Sequence, residues 1–424
     1  MTTPDTPPSY VTPERLLDLA QELLGIDTQN PPGDTREIIT RVETVFEDLG
    51  LTPRRIATDP AKPNLVATLP GEADQTFLYN GHVDTVPFDT SRWTRDPFGE
   101  RDGDRLYGRG ATDMKGPLAA MLHAAEAFVG TDTEPPVTLA FAVVSDEETG
   151  GEAGVSTLLA QDTFSEHYPD ACVIGETTCS AGRHSVTVAD RGSIWLTLQS
   201  GGTSAHGSRP LLGENAIDNL WDAITRLRTS LSTRSISIPA DVEPIIDESV
   251  GYYEPTVGRS DARDLFEYPT VNLGTMEGGE SINTVPDTAR AELDIRVTAG
   301  IGTRTILADI RDCLRDHPEV SIADVGWSVG TYEPVDSPLV EAVTGTAGGV
   351  VGDRIYRRSA TGGGDAKKFR QAGIPTVEFA FGTDTVHAVD EYTTAEALTR
   401  NAEVYTRLPA VWKEATEETR SADE

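Results

Sequence analysis

The stretch FLYNGHVDTVP, from Phe77 to Pro87, decides which fold and which chemistry the sequence predicts. It begins as a hydrophobic strand and places His82 and Asp84 two residues apart, just before the proline. Residues i and i+2 of an extended chain project from the same face, so the imidazole and the carboxylate lie side by side where the strand ends. That arrangement suits a metal-bound histidine whose second ring nitrogen is held by an acid. An H-x-D triplet at a strand end is more often an ordinary polar terminus. Further candidate ligands elsewhere in the chain are therefore needed to support a metal site.

Helical and strand patterns alternate along the chain, which predicts an α/β fold. The segments NLVATLP, QTFLYNGHVD and PVTLAFAVVSDEE have the composition of strands, and the third has the near-continuous apolar run of a strand buried on both faces. After Arg191 the patterns follow the order βαββαβ, which is that of a ferredoxin-like unit. Helix and buried-strand patterns then resume in LVEAVTGTAGG and IPTVEFAFG.

These patterns predict a larger domain interrupted by a smaller one. A catalytic α/β domain, with a mostly parallel central sheet flanked by helices, takes residues 1–190 and 331–424, and the inserted ferredoxin-like domain takes residues 191–330. A chain of 424 residues is too long for one compact core, which favours the same division. Within the insertion, Asp241 to Glu267 is predicted to be a long acidic loop.

The composition excludes several classes of partner and site. A formal net charge of −34 would repel nucleic acids and anionic membranes. No apolar run reaches the roughly 20 residues that span a bilayer, and the N-terminal segment has neither the basic nor the apolar region of a signal peptide. The three cysteines form no C-x-x-C pair, which argues against a thiolate metal site. We therefore expect a soluble, cytoplasmic protein with neither a nucleic-acid nor a membrane partner.

The surface charge has a character of its own. Acidic residues are spread over the whole chain, and only five of the 35 basic residues are lysine. A dispersed acidic, lysine-poor surface predicts adaptation to high salt, where screening removes the self-repulsion. The five lysines are Lys62, Lys115, Lys367, Lys368 and Lys413.

Acidic side chains and histidines follow the predicted strands. In an α/β sheet the carboxyl ends of the strands lie along one edge, where ligands bind. Asp113 directly precedes a helix predicted from Met114 to Phe128, where a helix N-cap is the alternative interpretation. Carboxylates packed side by side after one buried strand repel one another, so a nearby cation would explain them. The residues at these ends are His82, Asp113, Asp146, Glu147, Glu148, Glu176 and His387.

A set of motifs in this order resembles a known enzyme family. The chain contains GHVDTVP, GRGATDMKG, SDEETGG, GETT, GTSAHGSRP, ATGGGDAKKF and HAVDE. Over nearly its whole length it is similar to the cocatalytic dizinc amidohydrolases, which include acetylornithine deacetylase, succinyl-diaminopimelate desuccinylase, carboxypeptidase G and aminoacylase. Two departures stand out, since Thr177 replaces the proline usual in GEP, and GGGDAKKF replaces the commoner GGTSDGRF type and adds Lys367 and Lys368.

The resemblance implies a role for each residue of the candidate site. One metal would be held by His82, Asp113 and Glu176. The other would be held by His387, Asp113 and Glu148, so that Asp113 bridges the two. Asp84 would orient His82, Glu147 would be the general base, and a cis peptide bond would follow Asp113. The expected cofactor is two divalent metal ions per chain, zinc first and cobalt as the alternative.

The charges of the implied ligands agree with this chemistry. Two Zn²⁺ ions carry four positive charges and three carboxylates remove three, so one bridging hydroxide neutralises the site. Histidine, aspartate and glutamate are suitable ligands for zinc. A free carboxylate at Glu147, beside a metal-bound water, can take the proton of that water and later pass it to the leaving amine.

The resemblance also implies roles for residues in and after the inserted domain. His206 of GTSAHGSRP would reach across a homodimer, formed through this lid domain, and stabilise the oxyanion in the partner's site. Arg296 matches a position that holds the substrate carboxylate, although it could equally form a structural ion pair. The residues implied to bind substrate are Arg191, Asn283, Arg296 and, in ATGGGDAKKF, Gly363.

The sequence therefore predicts a metal-dependent hydrolase that cleaves the amide bond of an N-acyl amino acid, as a desuccinylase or deacetylase does. The glutamate at position 176, where an aspartate is the alternative ligand, resembles the residue found in desuccinylase and carboxypeptidase G. A carboxypeptidase or dipeptidase acting on short peptides with the same metals is the alternative. A metal-free binding protein on the same fold is a remote one, because every expected ligand is present.

Overall fold

The computed structural model describes residues 6–161, 163–179 and 182–423. Its strands are β1 (Arg54–Ile56), β2 (Asn64–Leu69), β3 (Thr76–His82), β4 (Glu100–Asp102), β5 (Arg105–Tyr107), β6 (Thr138–Val144), β7 (Ala171–Ile174), β8 (His184–Ala189), β9 (Gly192–Gly201), β10 (Thr270–Gly278), β11 (Thr288–Val297), β12 (Val320–Ser328), β13 (Ile355–Ser359), β14 (Thr376–Glu378) and β15 (Tyr392–Thr394). Its α-helices are α1 (Pro7–Tyr10), α2 (Pro13–Leu24), α3 (Arg36–Asp48), α4 (Lys115–Gly130), α5 (Val155–Ala160), α6 (Ala216–Ser232), α7 (Glu243–Val257), α8 (Arg259–Glu267), α9 (Thr303–Leu314), α10 (Pro338–Val351), α11 (Ala366–Gln371) and α12 (Ala395–Asp423).

The chain divides into two compact units. The first contains the residues up to Val188 together with Glu333–Arg358 and the segment from Gly364 onward. The second contains Ala189–Tyr332 and Ser359–Gly363.

The first unit is built on an eight-stranded sheet in the order β1-β2-β6-β3-β7-β14-β8-β13. The four central strands, β6, β3, β7 and β14, run parallel, and β2 and β8 join them in antiparallel pairing. Every residue of β3 and β6 is buried, which explains their continuous apolar sequences. Helices α3, α4, α10 and α11 pack against the sheet, so the expectation of an α/β fold is confirmed.

The strand ends bring the candidate ligands to one edge of this sheet. β3 ends at His82, and β6 and β7 end shortly before Glu147 and Glu176. Because these strands are parallel, their carboxyl ends meet at the same edge. His387 lies in the loop that follows β14.

Helix α4 begins just after Asp113 and is buried over almost its whole length. Its alanine-rich sequence allows α2 and α12 to pack closely against it. The peptide bond from Asp113 to Met114 is cis, as the family resemblance implies. Although α12 is long, no helix in the described part of the chain is both long and apolar enough to cross a membrane.

The second unit contains an antiparallel four-stranded sheet in the order β10-β11-β9-β12. Alternate residues of β9 and β11 point to one face, where α6 and α9 cover them and complete a hydrophobic core. Leaving α7 and α8 aside, the elements follow one another in the order βαββαβ.

The prediction of a long acidic loop from Asp241 to Glu267 is wrong, because this segment forms α7 and α8. Val242, Ile246 and Val250 recur every fourth residue, which places them on one helix face, and they pack against residues of α8. The acidic residues point outward, and Arg263 pairs with three of them. The high charge and an internal proline obscured the helical spacing of the apolar residues.

Candidate metal centre

Asp113 lies between two histidines, with one carboxylate oxygen toward each. Its Oδ1 atom is 3.3 Å from His82 Nε2, and its Oδ2 atom is 2.9 Å from His387 Nε2. Each histidine also faces a glutamate, since His82 Nε2 is 3.3 Å from Glu176 Oε1 and His387 Nε2 is 3.3 Å from Glu148 Oε1. The structure therefore brings one histidine and one glutamate together on each side of Asp113.

The His82 ring is oriented by the main chain of Asp84. His82 Nδ1 lies 2.9 Å from the Asp84 carbonyl oxygen, whereas the nearer carboxylate oxygen of Asp84 is 3.6 Å away. A carbonyl oxygen can only accept, so Nδ1 carries the proton that it donates. The lone pair of Nε2 then points toward Asp113 and is available to a metal ion.

The Asp84 carboxylate instead holds the turn that follows β6. Its two oxygens accept hydrogen bonds from the backbone N–H groups of Glu147, at 3.1 Å, and Glu148, at 3.2 Å. The amide of Asn30 donates to the same carboxylate at 2.9 Å. Asp84 thus fixes the main chain from which both glutamates project, a role that the H-x-D spacing did not reveal.

Glu147 and Glu148 are adjacent, yet their side chains have different surroundings. They begin a short 3₁₀ turn, Glu147–Thr149, which follows Asp146 in the left-handed conformation with φ 72°. Glu148 faces His387. Within the described residues, nothing donates a hydrogen bond to the Glu147 carboxylate, and the Oε1 atom of Glu147 lies so near Gly364 that a Cβ atom there would be 3.1 Å from it. One glutamate is therefore placed with the histidines and the other remains free.

The pKa values of several of these side chains are shifted from their usual ranges. Burial, followed by the neighbouring Asp113 carboxylate, raises the pKa of Glu176 to about 8. Burial also raises the pKa of Glu147, with contributions from Asp365 and Glu176. The Asp113 and Glu148 carboxylates beside its ring raise the pKa of His387 to about 10. Burial alone would raise the pKa of Asp113, but the imidazoles of His387 and His82 beside it bring it below its usual value.

The donor set fits divalent cations. The Oε1 atom of Glu148 is buried and, in the described part of the chain, has no well-directed hydrogen bond, even though His387 Nε2 is close. A buried carboxylate oxygen without a donor is costly unless a cation satisfies it. Imidazole and carboxylate ligands suit zinc, and the ligand atoms of His82, Asp113 and Glu148 lie within 4.8 Å of one another. His82, Glu147 and Glu176 form a second group of the same size, so Glu147 lies at the centre as well.

We expect the affinity for divalent metal to rise with pH. His387 and Glu176, with pKa values of about 10 and about 8, hold protons at neutral pH that a metal ion must displace. Raising the pH from about 6 to about 8 removes part of this competition and should tighten binding. Calorimetric titration with zinc in buffers of different ionisation enthalpy measures both the affinity for zinc and the number of protons released on binding. A pH-independent affinity without proton release would contradict this expectation.

Two residues missed in the sequence connect the ligand loops. The fully buried Glu391 carboxylate accepts hydrogen bonds from the backbone N–H groups of Gly110, Thr112 and Asp113 at 3.0 to 3.1 Å. It also pairs with Arg109 at 2.7 Å, and Arg109 donates to the His387 carbonyl oxygen at 3.2 Å. The pair therefore holds the Asp113 and His387 loops together. Both residues stand in motifs of the family resemblance, Arg109 in GRGATDMKG and Glu391 in HAVDE, but neither motif shows that the two side chains pair.

The remaining candidate residues lie in the second unit. Arg191 is buried and donates to the Arg296 carbonyl oxygen at 2.9 Å, while Arg296 forms an ion pair with Asp294 at 2.8 Å. The structural ion pair considered for Arg296 is thus present. Gly207, which follows His206, donates to the Asn283 carbonyl oxygen at 2.6 Å, so the His206 and Asn283 loops are neighbours. The remaining candidate, Gly363, is exposed at the end of this unit.

The chain is similar to known proteins over most of its length. A family model described as Peptidase family M20/M25/M40 matches residues 78–410. A succinyl-diaminopimelate desuccinylase of Rhodospirillum centenum is 28% identical over 410 residues, covering 93% of this chain and 96% of that protein. An acetylornithine deacetylase of Salmonella heidelberg is 30% identical over 390 residues, covering 88% of this chain and 89% of that protein. The crystal structure of a metallo-carboxypeptidase of Sulfolobus solfataricus has a similar fold, with a TM-score of 0.78, 21% identity and coverage of 94% of this chain and 99% of that chain.

Proposed function

Because the chain belongs to peptidase family M20/M25/M40 and is a hydrolytic enzyme acting on amide or peptide bonds, we propose that it cleaves the amide bond of an N-acyl amino acid with two divalent metal ions. The observation that carries the proposal is Asp113, whose two oxygens each face a histidine, and each of these histidines also faces a glutamate. His82 and Glu176 would hold one ion and His387 and Glu148 the other, with Asp113 shared. Zinc is the proposed ion.

When bound, the ions supply Lewis-acid polarisation of the scissile carbonyl and make a water acidic enough to attack it. The chain supplies the proton transfer. Glu147 is free of hydrogen-bond donors in the described residues and stands beside the ligands, so it accepts the proton of the attacking water and passes it to the leaving amine. Asp84 keeps Glu147 in place through the backbone of the turn. Burial of the pocket strengthens each of these charge interactions.

We infer that the inserted segment, about residues 191–330, is a ferredoxin-like lid through which two chains form a homodimer. Its strand order, β10-β11-β9-β12, with two helices on one face, supports the ferredoxin-like assignment. His206 lies on an exposed loop. Three aliphatic side chains near it in the second unit are largely exposed, which supports burial against a second chain. They are Leu211, Leu212 and Ile282.

The substrate class is proposed from the relatives. The desuccinylase and the deacetylase match over nearly the whole chain, which favours an N-acyl amino acid as the substrate. The buried guanidinium of Arg191 beside Arg296 supports recognition of a substrate carboxylate in the second unit. Hydrolysis of a dipeptide or of a C-terminal peptide bond with the same metals is the alternative, supported by the fold of the metallo-carboxypeptidase.

A hydrolysis screen tests the proposal. The zinc-loaded protein, in molar salt because of its acidic surface, is given N-succinyl and N-acetyl amino acids and dipeptides. We expect release of the free amine from an N-acyl amino acid to be fastest. Faster cleavage of dipeptides would select the alternative, and no hydrolysis of any substrate by the metal-loaded dimer would overturn the proposed function.

A further inference from the structure

Lys62 contacts the turn of Glu147 and Glu148 from one side. Its ammonium group pairs with the Asp146 carboxylate and donates to Asn30 Oδ1 at 3.2 Å. The same carboxylate accepts from Thr149 Oγ1 at 2.6 Å and from the Ala153 backbone N–H at 3.1 Å. Only 16% of the Lys62 side chain and 7% of the Asp146 side chain are exposed. Asp146 therefore binds Thr149 and Ala153, which follow it in the turn, and the Lys62 ammonium group neutralises its buried carboxylate.

Lys368 contacts the same turn from its other end. Its ammonium group donates to the Gly150 carbonyl oxygen at 2.8 Å and to Asp365 Oδ1 at 2.7 Å. Gly151 makes this approach possible, since a Cβ atom there would lie 2.1 Å from the lysine nitrogen and its φ is +67°. Asp365 is itself close enough to Glu147 to act on its charge. Lys368 thus connects the turn to Asp365, which lies near Glu147.

The choice of lysine at both places is unusual for this chain, in which thirty of the 35 basic residues are arginine and five are lysine. A compact ammonium group with three donors fits a narrow site that the planar guanidinium of arginine would not fill as well. We propose that Lys62 and Lys368 are positioning residues, which clamp Asp146–Gly151 at both ends and thereby aim the Glu147 and Glu148 carboxylates in different directions. This inference rests on the proposed function of Glu147 as the base.

The clamp has a simple physical purpose. Two adjacent glutamates repel each other, and a short turn on glycines can rotate to relieve that repulsion. Hydrogen bonds at Asp146 and at Gly150 hold the main chain on either side of the pair, so neither side chain can take the place of the other. Partners of this kind, outside the metal ligands, typically change activity or metal affinity by about 10- to 100-fold when they are removed.

The test compares methionine and arginine at position 368. Methionine keeps most of the apolar stem but removes the charge, whereas arginine keeps the charge and donors. In metal-saturated protein, Lys368→Met should lower kcat about 10- to 100-fold with little change in KM, and Lys368→Arg should recover only part of the loss, because the planar guanidinium fits the narrow site beside Gly151 less well than the ammonium group. Lys62→Gln should behave as Lys368→Met does. Lys413→Met, a change of the lysine on α12, is the matched control and should match the wild-type enzyme.

Hydrogen exchange supplies a readout that does not depend on activity. Backbone amides from 146 to 153 should exchange faster in Lys368→Met and in Lys62→Gln than in the wild-type protein, while amides of α4 keep the wild-type rate. Unchanged kcat and unchanged exchange in folded Lys368→Met and Lys62→Gln would overturn the clamp, even if the wild-type enzyme hydrolyses N-acyl amino acids. If one variant fails to fold, the other decides. An inactive wild-type protein would overturn the proposed function instead, and the exchange rates would still test the clamp.

Discussion

Replacing Glu147 with glutamine is expected to leave the metal content unchanged and to lower kcat by about 10²- to 10⁴-fold, the range that general-base catalysis contributes. Glutamine has nearly the same size but cannot accept a proton from water at neutral pH. The Glu147 backbone N–H would still donate to Asp84, so the turn should keep its shape. Metal content and kcat measured on the same preparation check this result.

Two other variants serve as controls for Glu147→Gln. His82→Ala removes a side chain with its ring nitrogen 3.3 Å from both Asp113 and Glu176, and should lose metal occupancy. Glu148→Gln changes the neighbouring glutamate, so it should lose metal although the substitution is chemically the same. Equal loss of metal from the Glu147 and Glu148 variants would show that the division between base and ligand is wrong.

His206→Ala should bind metal normally and lose about 10²- to 10³-fold in kcat, because removal of one oxyanion donor typically costs that much. His206 is exposed on its loop, where its ring nitrogen contacts Ser208 Oγ at 2.8 Å, so its loss should not disturb folding. Ser208→Ala is a matched control on the same loop. It should retain most of the activity.

Subunit exchange tells whether His206 acts in the partner's site. A heterodimer of His206→Ala and Glu147→Ala chains contains one site with both residues intact, if His206 is supplied across the interface. Mixing the two inactive proteins should therefore recover a sizeable part of the activity. No recovery despite proven exchange, or full activity in a demonstrated monomer, would mean that His206 works within its own chain or not at all.

The fold class and the family could be predicted from the sequence because their signals are local. Buried parallel strands have continuous apolar sequences, and polar residues placed just after them must share one edge of the sheet. That rule applies to His82 and Glu176, which the structure places next to Asp113. The motifs and their order led to the same family that the comparisons show.

Other parts of the candidate site could not be predicted, because they depend on contacts between distant segments. Glu391 reaches the backbone around Asp113 from almost 280 residues away, and its place in the HAVDE motif gives no sign of such a bond. The H-x-D spacing correctly places Asp84 beside His82, but only the packing of β6 against β3 shows that its carboxylate holds the Glu147 turn. The two helices within Asp241–Glu267 were missed because their high charge and an internal proline obscured the spacing of their apolar residues.

We propose that each active chain holds two divalent metal ions, with Asp113 between them. Elemental analysis of the fully active, dialysed enzyme tests it most directly, together with activity as zinc is returned to chelated protein. We expect loss of activity on chelation and a return that is complete at two equivalents of zinc per chain. Full activity in a preparation that holds one metal ion per chain or none would contradict it.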